Sequence, residues 1–331
     1  MNDNSIMRAA QRNKKDDFFT QQEDIQKELT LYKKQFKDKI VFMPCDSNES
    51  EFVRFIDCVF ESWNIAMFYS LAYNPGGLAD VIVESQDEII RKYIEDDNGD
   101  FRTSDAFKSL LKQCDIVVTN PPFSLFREFM TAIINSGKKF IILGNMNQIL
   151  TKDLFQYVAD GRLWWGPSIY SGDRVFRVPD DYPLETKGAF IENGKKFIKV
   201  KGVRWFTNMR PDEMTFSRAF VPKVSIKDKE FERFDYLPDV ICIDRTEDIP
   251  YDYDGLMGVP LTYFDRHNPD LFEIVDGVNR YLVLDRLKIS DEAKKNHWHL
   301  LTVNRKVKYF RILIRRKNEQ ETSKQSESYY Q

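Results

Sequence analysis

The chain is poor in the residues from which many active sites are built. Its four cysteines, Cys45, Cys58, Cys114 and Cys242, are widely scattered with no Cys-x-x-Cys pair. That spacing supports neither a zinc ribbon nor a disulfide framework, and reads as reduced thiols in a cytoplasmic protein. There are three histidines, all late in the chain. His297-Trp298-His299 has no acid or cysteine at ligand spacing, so no metal site is expected. No apolar run approaches the ~18 residues of a membrane span; the best, Ile65–Tyr73, is interrupted by Ser70. The segment Met1-Asn2-Asp3-Asn4-Ser5 lacks a charged-then-apolar signal pattern. Charge of one sign is also missing: 49 basic residues against 52 acidic leave −3, which excludes a uniformly basic coat but not a local basic face. No Gly-x-Gly-x-x-Gly follows the first predicted strand, which argues against a nicotinamide dehydrogenase.

What is present is a large core. At ~100–200 residues per domain, 331 residues make one large domain or two ordinary ones. A content of 42% hydrophobic residues with 26 Phe, 15 Tyr and 5 Trp excludes a disordered or fibrous chain. Thr20-Gln21-Gln22-Glu23 has the pattern of a capping box, and Ile25, Leu29, Tyr32 and Phe36 follow on one helical face. Lys39–Met43 reads as a buried strand. Phe52, Phe55, Ile56, Val59 and Phe60 fall at helical spacing, and Ile65–Tyr73 is a second run of strand length ended by Asn74-Pro75-Gly76-Gly77. Residues 84–99 are acidic and fit no element clearly. Ala106, Phe107, Leu110 and Leu111 suggest a short helix, and Asp115–Thr119 is a β-branched strand. Leu125, Phe126, Phe129, Met130, Ile133 and Ile134 make a helix closed by Gly137, and Phe140–Leu143 is another strand. Strands without alternation, separated by amphipathic helices, predict a doubly wound parallel sheet that binds ligands at the carboxyl ends of its strands. After residue 160 turns multiply and strands alternate, as in Phe197–Phe206. The expected division is a flexible arm 1–15, an α/β domain 16–160, a smaller β-rich region 161–317 and a disordered tail 318–331.

The string Asn120-Pro121-Pro122-Phe123 stands directly after a strand, where such folds hold ligands. As a structural feature it would be a stiff turn. As a functional one it suits attack by an aromatic amino group, a poor nucleophile because its lone pair is delocalised into the ring. The Asn120 side-chain carbonyl and the Pro121 backbone carbonyl can accept its two hydrogens and favour a pyramidal nitrogen. The prolines stiffen the loop, and Phe123 offers a face on which a base can stack. No titrating base is required. Gly99-Asp100-Phe101 is a candidate adenine corner, with a carboxylate accepting from an amino group and a ring packed beside it. Pro44-Cys45-Asp46-Ser47-Asn48 follows the first strand, where a nucleotide is normally met, yet holds no glycine. Asn and Asp tolerate the left-handed backbone that a tight turn there needs.

These residues resemble the EcoRI-type adenine-specific DNA methyltransferases. The resemblance runs from about Lys15 to about Lys317. It is carried by Asp17-Phe18-Phe19-Thr20-Gln21, Gly99-Asp100-Phe101-Arg102, the string from Asp115 through Asn120-Pro121-Pro122-Phe123 to Glu128, Asp248-Ile249-Pro250 with Gly255 and Met257-Gly258-Val259-Pro260, and Tyr309–Ile314. It implies a Rossmann-like methyltransferase fold with S-adenosyl-L-methionine as cofactor. It places Phe18, Phe19 and Thr20 against the methionine end of the cofactor, Pro44, Cys45 and Asp46 in the loop after the first strand, Asp100 and Phe101 at the adenine, and Asn120, Pro121, Pro122 and Phe123 in the catalytic loop that also meets the cofactor. Cofactor motifs first and DNA recognition last is similar to the γ arrangement of such enzymes. No acid stands at the end of the second strand to hold ribose hydroxyls.

The resemblance further implies duplex DNA as partner, methylation of N6 of an adenine flipped out of a short specific sequence, and work as a monomer, with or without a cognate restriction endonuclease sharing the site. Two basic clusters would meet the DNA. One spans 191–210, with six basic residues against one acidic, including Lys195, Lys196, Lys199, Lys201 and Arg204; the other spans 301–331, with eight against three, including Arg311. Trp205 and Phe206 lie beside the first cluster, either as a second wall for the base or as core. The alternatives are an amino-methyltransferase acting on RNA or protein glutamine, and a DNA-binding protein without catalysis.

Overall fold

The computed structural model describes residues 18–47, 49–74, 78–85, 89–95, 97–212, 220–279, 282–283 and 301–317. The arm at 1–15, the tail at 318–331 and His297-Trp298-His299 therefore lie outside the described residues, as do Asp17 and Asn48. The protein is mixed α/β and divides into two compact units: Met1–Gln148 with Leu163–Met214, and Ile149–Arg162 with Thr215–Gln331.

The first unit is built on an eight-stranded sheet. Its core is four parallel strands, β1 (Ile40–Pro44), β2 (Met67–Ala72), β5 (Ile116–Thr119) and β6 (Lys139–Asn145), in the order β2-β1-β5-β6. These strands are apolar at nearly every position because both faces are covered. Antiparallel strands extend the sheet at each side, so it is mixed rather than wholly parallel. On one side stand β3 (Leu78–Ser85) and β4 (Ile89–Glu95), the latter in the acidic stretch 84–99 whose pattern alone fits no element. On the other stand β11 (Val203–Thr207) and the two-residue β7 (Trp164–Trp165).

Successive strand residues point to opposite faces. Val41, Met43, Ile116, Val118, Ile141, Leu143 and Trp205 share a cluster with Ile25 and Leu29 of helix α1 (Gln22–Leu29) and with Phe52, Phe55 and Ile56 of α2 (Glu51–Val59). On the opposite face Phe42 meets Phe107 of α3 (Asp105–Gln113) at 5.7 Å between ring centroids, and Phe206 meets Phe126 of α4 (Phe126–Asn135) at 4.8 Å. Helices therefore cover both faces. The expected stripe Ile25, Leu29, Tyr32 and Phe36 is wholly buried, although a 3-10 turn takes over at Thr30. Gly137 closes α4 with a positive φ of 71°, and its N–H bonds to the Ile134 carbonyl at 3.2 Å. The capping box is not formed: the N-cap of α1 is Gln21, and Thr20 precedes it.

A three-stranded antiparallel sheet also belongs to the first unit, ordered β8 (Arg174–Arg177), β10 (Lys195–Val200), β9 (Ala189–Glu192). Phe197–Phe206 is thus not one alternating strand. It breaks at Lys201-Gly202, where Gly202 takes a φ of 70°, and β10 and β11 join different sheets.

The second unit carries helix α5 (Lys152–Ala159) and a six-stranded sheet. Its strands are β12 (Arg233–Phe234), β13 (Leu237–Cys242), β14 (Leu256–Pro260), β15 (Phe272–Asn279), β16 (Leu282–Val283) and β19 (Arg311–Arg316). A small hairpin, β17 (Thr302–Val303) and β18 (Lys306–Val307), stands apart from that sheet. Among the described residues, no helix is long and apolar enough to cross a membrane.

Candidate active site

After β1 the chain crosses through α2 on one face of the sheet; after β5 it crosses through α4 on the other. The carboxyl ends of β1 and β5 are neighbours, so the two departures leave a crevice between them. Three loops line up along this edge. The 97–101 loop sits at the end of β2, Pro44–Ser47 follows β1, and Asn120–Phe123 follows β5.

The first loop reaches β2 by close backbone approach. Asn74 N–H bonds to the Asn98 carbonyl at 2.9 Å, and a Cβ on Gly99 would stand 2.6 Å from the Ala72 carbonyl oxygen. Only glycine fits there. Asp97 fixes the corner, accepting from the N–H of Gly99 at 2.8 Å and of Ala106 at 3.0 Å. The Asp100 carboxylate is held by Arg102, which donates from Nε at 2.9 Å and Nη2 at 2.5 Å. Those bonds keep its carboxyl below the ordinary carboxylate range. Phe101 packs edge-on against Phe129 at 5.2 Å.

The second loop turns without glycine because Cys45 itself takes a left-handed backbone, φ 68°. Asp46 follows, buried at 6% exposure, and burial pushes its carboxyl up to about 7 against the pull of the Thr119 and Ser50 hydroxyls. Thr119, the last residue of β5, ties the loops together: its Oγ1 bonds to the Pro44 carbonyl and lies 2.7 Å from Asp46 Oδ2. A threonine has one hydroxyl hydrogen and can donate to only one of these at a time.

The third loop holds Asn120, which the fold clamps by its amide. Asn120 Nδ2 donates to the Phe18 carbonyl at 2.6 Å, fixing the amide, while Asn120 Oδ1 is buried with no hydrogen-bond partner among the described residues. Such an orphaned acceptor calls for an explanation. Phe18 is held in turn by rings, with Phe123 at 5.4 Å, Phe176 at 5.7 Å and Tyr182 at 6.3 Å. Phe19 continues the segment by exchanging backbone bonds with Arg177 at 2.9 and 3.1 Å. Thr20, freed from capping, leaves a second buried hydroxyl, Oγ1, without a partner. A crevice of about 910 Å³ opens on the Phe19–Thr20 side of this segment, lined among others by Phe19, Thr20, Ser47, Ser50, Arg177 and Lys195 but not by Asn120.

The structure thus brings Phe18, Phe19, Thr20, Pro44, Cys45, Asp46, Asp100, Phe101 and the Asn120-Pro121-Pro122-Phe123 loop to one edge of one sheet. It disposes of some side chains differently from the sequence expectation. Phe123 is 1% exposed and its ring rests on Phe18 and Phe176, so the free stacking face is covered. Trp205 and Phe206 are core, fully buried in β11. Arg204 is also buried, bonded to the Val203 and Tyr170 carbonyls. Arg311 is buried and paired with Asp244 at 2.7 Å. Lys195, Lys199 and Lys201 remain exposed, while Lys196 is half-buried with Nζ on the Tyr182 carbonyl at 2.8 Å. Sequence reasoning missed Thr119, Arg102, Phe176 and Arg177. A hydroxyl ending a buried strand is a signal for Thr119, and an arginine two residues from Asp100 is one for Arg102; Phe176 and Arg177 act through contacts distant in sequence and leave none.

An α/β fold that presents a clamped amide with a buried, orphaned oxygen on a loop at the carboxyl edge of parallel strands fits the class of enzymes with a candidate ligand site at a strand-end crevice. A model of the family "adenine-specific methyltransferase EcoRI" matches residues 6–95 and 79–317, and the chain belongs to that family. It is 35% identical over 315 residues to a Type II methyltransferase of Mycoplasma genitalium, covering 93% of this chain and 97% of that protein. It is 33% identical over 337 residues to the Type II methyltransferase M.EcoRI of Escherichia coli, covering 95% and 97%, and 32% identical over 313 residues to the Type II methyltransferase M.MpnI of Mycoplasma pneumoniae, covering 93% and 97%.

Proposed function

We propose that the protein transfers a methyl group from S-adenosyl-L-methionine to N6 of an adenine flipped out of a short duplex DNA sequence, as a Rossmann-like methyltransferase working as a monomer. The single observation that carries this reading is Asn120: an amide anchored through its nitrogen and aiming a buried, unpartnered oxygen from the end of a parallel strand. Membership of an adenine-specific methyltransferase family supports it.

The residues present fit the cofactor, since the orphaned Thr20 hydroxyl and the aligned loops at the ends of β1, β2 and β5 are the polar, strand-end setting a nucleoside ligand needs. Phe18, Phe19 and Thr20 would hold its amino-acid end, Pro44, Cys45 and Asp46 its middle, and Asp100 and Phe101 its adenine. When bound, the cofactor supplies an electrophilic methyl on sulfur. Asn120 Oδ1 accepts one hydrogen of the target amino group and the Pro121 carbonyl the other, which localises the nitrogen lone pair for attack. The Phe18 carbonyl keeps Oδ1 from turning away. Phe123, with Phe18 and Phe176, stiffens the loop, so little reorganisation is needed at the moment of reaction. Lys195, Lys199 and Lys201 meet the DNA phosphates, and the second half of the chain reads the sequence, in a restriction–modification, phage-borne or orphan setting.

The test is incubation with isotopically labelled cofactor and unmethylated bacterial DNA, followed by nucleoside mass spectrometry. Labelled N6-methyladenine is expected from the wild type and none from Asn120→Ala, whose cofactor affinity should stay within about tenfold because the lost oxygen faces the target rather than the cofactor. An unchanged rate in the variant would sink the mechanism, and label in RNA or protein instead of DNA would redirect the substrate.

A further inference from the structure

The second unit holds a hairpin whose tip is built against ordinary preference. Strands β17 and β18 pair Thr302 with Val307 and Val303 with Lys306, leaving a two-residue loop, Asn304-Arg305. Both loop residues are left-handed, with φ 50° and 62°, as a type I′ turn requires. The chain makes the same kind of loop between β9 and β10, and there uses Asn193-Gly194, with φ 49° and 75°. Glycine is the unstrained choice at that second position, and arginine is not. A glycine would serve the turn better, so the strain at Arg305 draws attention to its side chain.

The hairpin is also pinned. Asp235 accepts from the N–H of Asn304 through Oδ1 and of Arg305 through Oδ2, each at 3.0 Å. Asn304 Nδ2 donates to Glu232 at 2.7 Å. Leu301, Thr302 and Val303 are buried, anchoring one strand, whereas Arg305, Lys306 and Val307 are exposed. Of the neighbouring cations, Lys308 and Arg311 are spent on Asp244 and Arg315 on Glu273, while Lys306 is exposed beside Arg305. The Arg305 guanidinium makes no hydrogen bond or ion pair among the described residues. Asp235 feels its charge, but both Asp235 oxygens are already engaged by the turn.

We propose that Arg305 is a specificity-determining residue that reads a base edge of the duplex substrate; the inference rests on the DNA reading above. A side chain on the exposed tip of such a hairpin can reach into the major groove of B-form DNA, where a guanidinium fork matches the O6 and N7 acceptors of guanine. A phosphate contact would need only charge, which a lysine on a flexible stem supplies. A strained, pinned backbone gains something only where the direction of the fork matters.

The experiment compares the wild type with Arg305→Gly and Arg305→Lys. Sequencing of bacterial DNA methylated by the wild type defines the target, and kcat/KM is then measured on that duplex and on its single base-pair variants, with thermal melting alongside. Arg305→Gly relieves the turn and should melt no lower than wild type, yet lose roughly 10–100-fold in kcat/KM on the target and lose discrimination at one base pair. Arg305→Lys should keep non-specific DNA affinity but lose the same discrimination. Unchanged kcat/KM and discrimination in both variants would overturn the proposal. So would an equal fall on every duplex with a shallower salt dependence, the mark of a phosphate contact. A wild type that methylates no DNA would overturn the functional reading and this inference with it.

Discussion

Asn120 shows how little a side chain must do when the fold does the positioning. Its nitrogen is bonded away to Phe18, so its oxygen has one direction to point, and burial ensures that no water competes for it. Beside it, Asp46 carries a testable consequence of burial. Its carboxyl is lifted from the ordinary value to about 7, so the folded protein binds this proton more tightly than the unfolded chain. The stability it contributes is therefore full below about pH 4 and is lost as pH rises through about 7. Asp46→Asn keeps an acceptor and a donor facing Thr119 but cannot titrate. The melting temperature of the wild type should fall relative to that variant between about pH 5 and about pH 8, and parallel curves would mean that the buried carboxyl does not titrate there. The Asn120-Pro121-Pro122-Phe123 string was legible as chemistry because its residue types imply acceptors on a stiff loop. That Phe18 supplies the clamp was not, because a backbone carbonyl leaves no mark in a sequence and 102 residues separate the partners.

At the level of elements, periodicity located the four parallel strands and the helices that cover them, because each buries a face and burial selects apolar residues. It failed where tertiary contact outweighed local pattern. Thr20 has a cap's chemistry but ends as an uncapped, buried hydroxyl because the Phe19 backbone is drawn into pairing with Arg177. β3 (78–85) and β4 (89–95) pair antiparallel on the sheet edge although acids dilute their apolar alternation. Two glycines separate local from tertiary demands. Gly137 closes α4 with open space where a Cβ would be, so its demand is conformational. Gly144 in β6 lies under the Phe126 ring, 2.1 Å from where a Cβ would stand. Gly144→Ala should destabilise the protein by ~1–3 kcal/mol through overpacking, visible as a lower melting temperature. A variant as stable as wild type would show that Phe126 can give way.

For the molecule as a whole, net charge is a poor guide to partners. An overall −3 coexists with basic residues concentrated in two short segments, and folding sorts these again. Arg204 and Arg311 go to internal carbonyls and carboxylates, while Lys195, Lys199 and Lys201 stay at the surface. Replacing those three lysines by alanine should weaken binding to any duplex and flatten the dependence of log K on log salt by about 2–3, since each phosphate no longer neutralised removes about 0.9 from the slope. Cofactor affinity should not move. An unaltered salt slope would remove these lysines from the DNA interface.

The sequence by itself determined the α/β class, the order of the four parallel strands along the chain, the position of the Asn120-Pro121-Pro122-Phe123 loop after a strand and the family, because these depend on local pattern and on residue types whose chemistry is their own. The tertiary structure alone decided which carbonyl holds Asn120, that Asp46 is buried against Thr119, which cations face solvent, and that an arginine occupies a strained hairpin tip. Each of those rests on contacts between residues far apart in the chain, or on the sign of a backbone angle, and neither is written in the spacing of side chains.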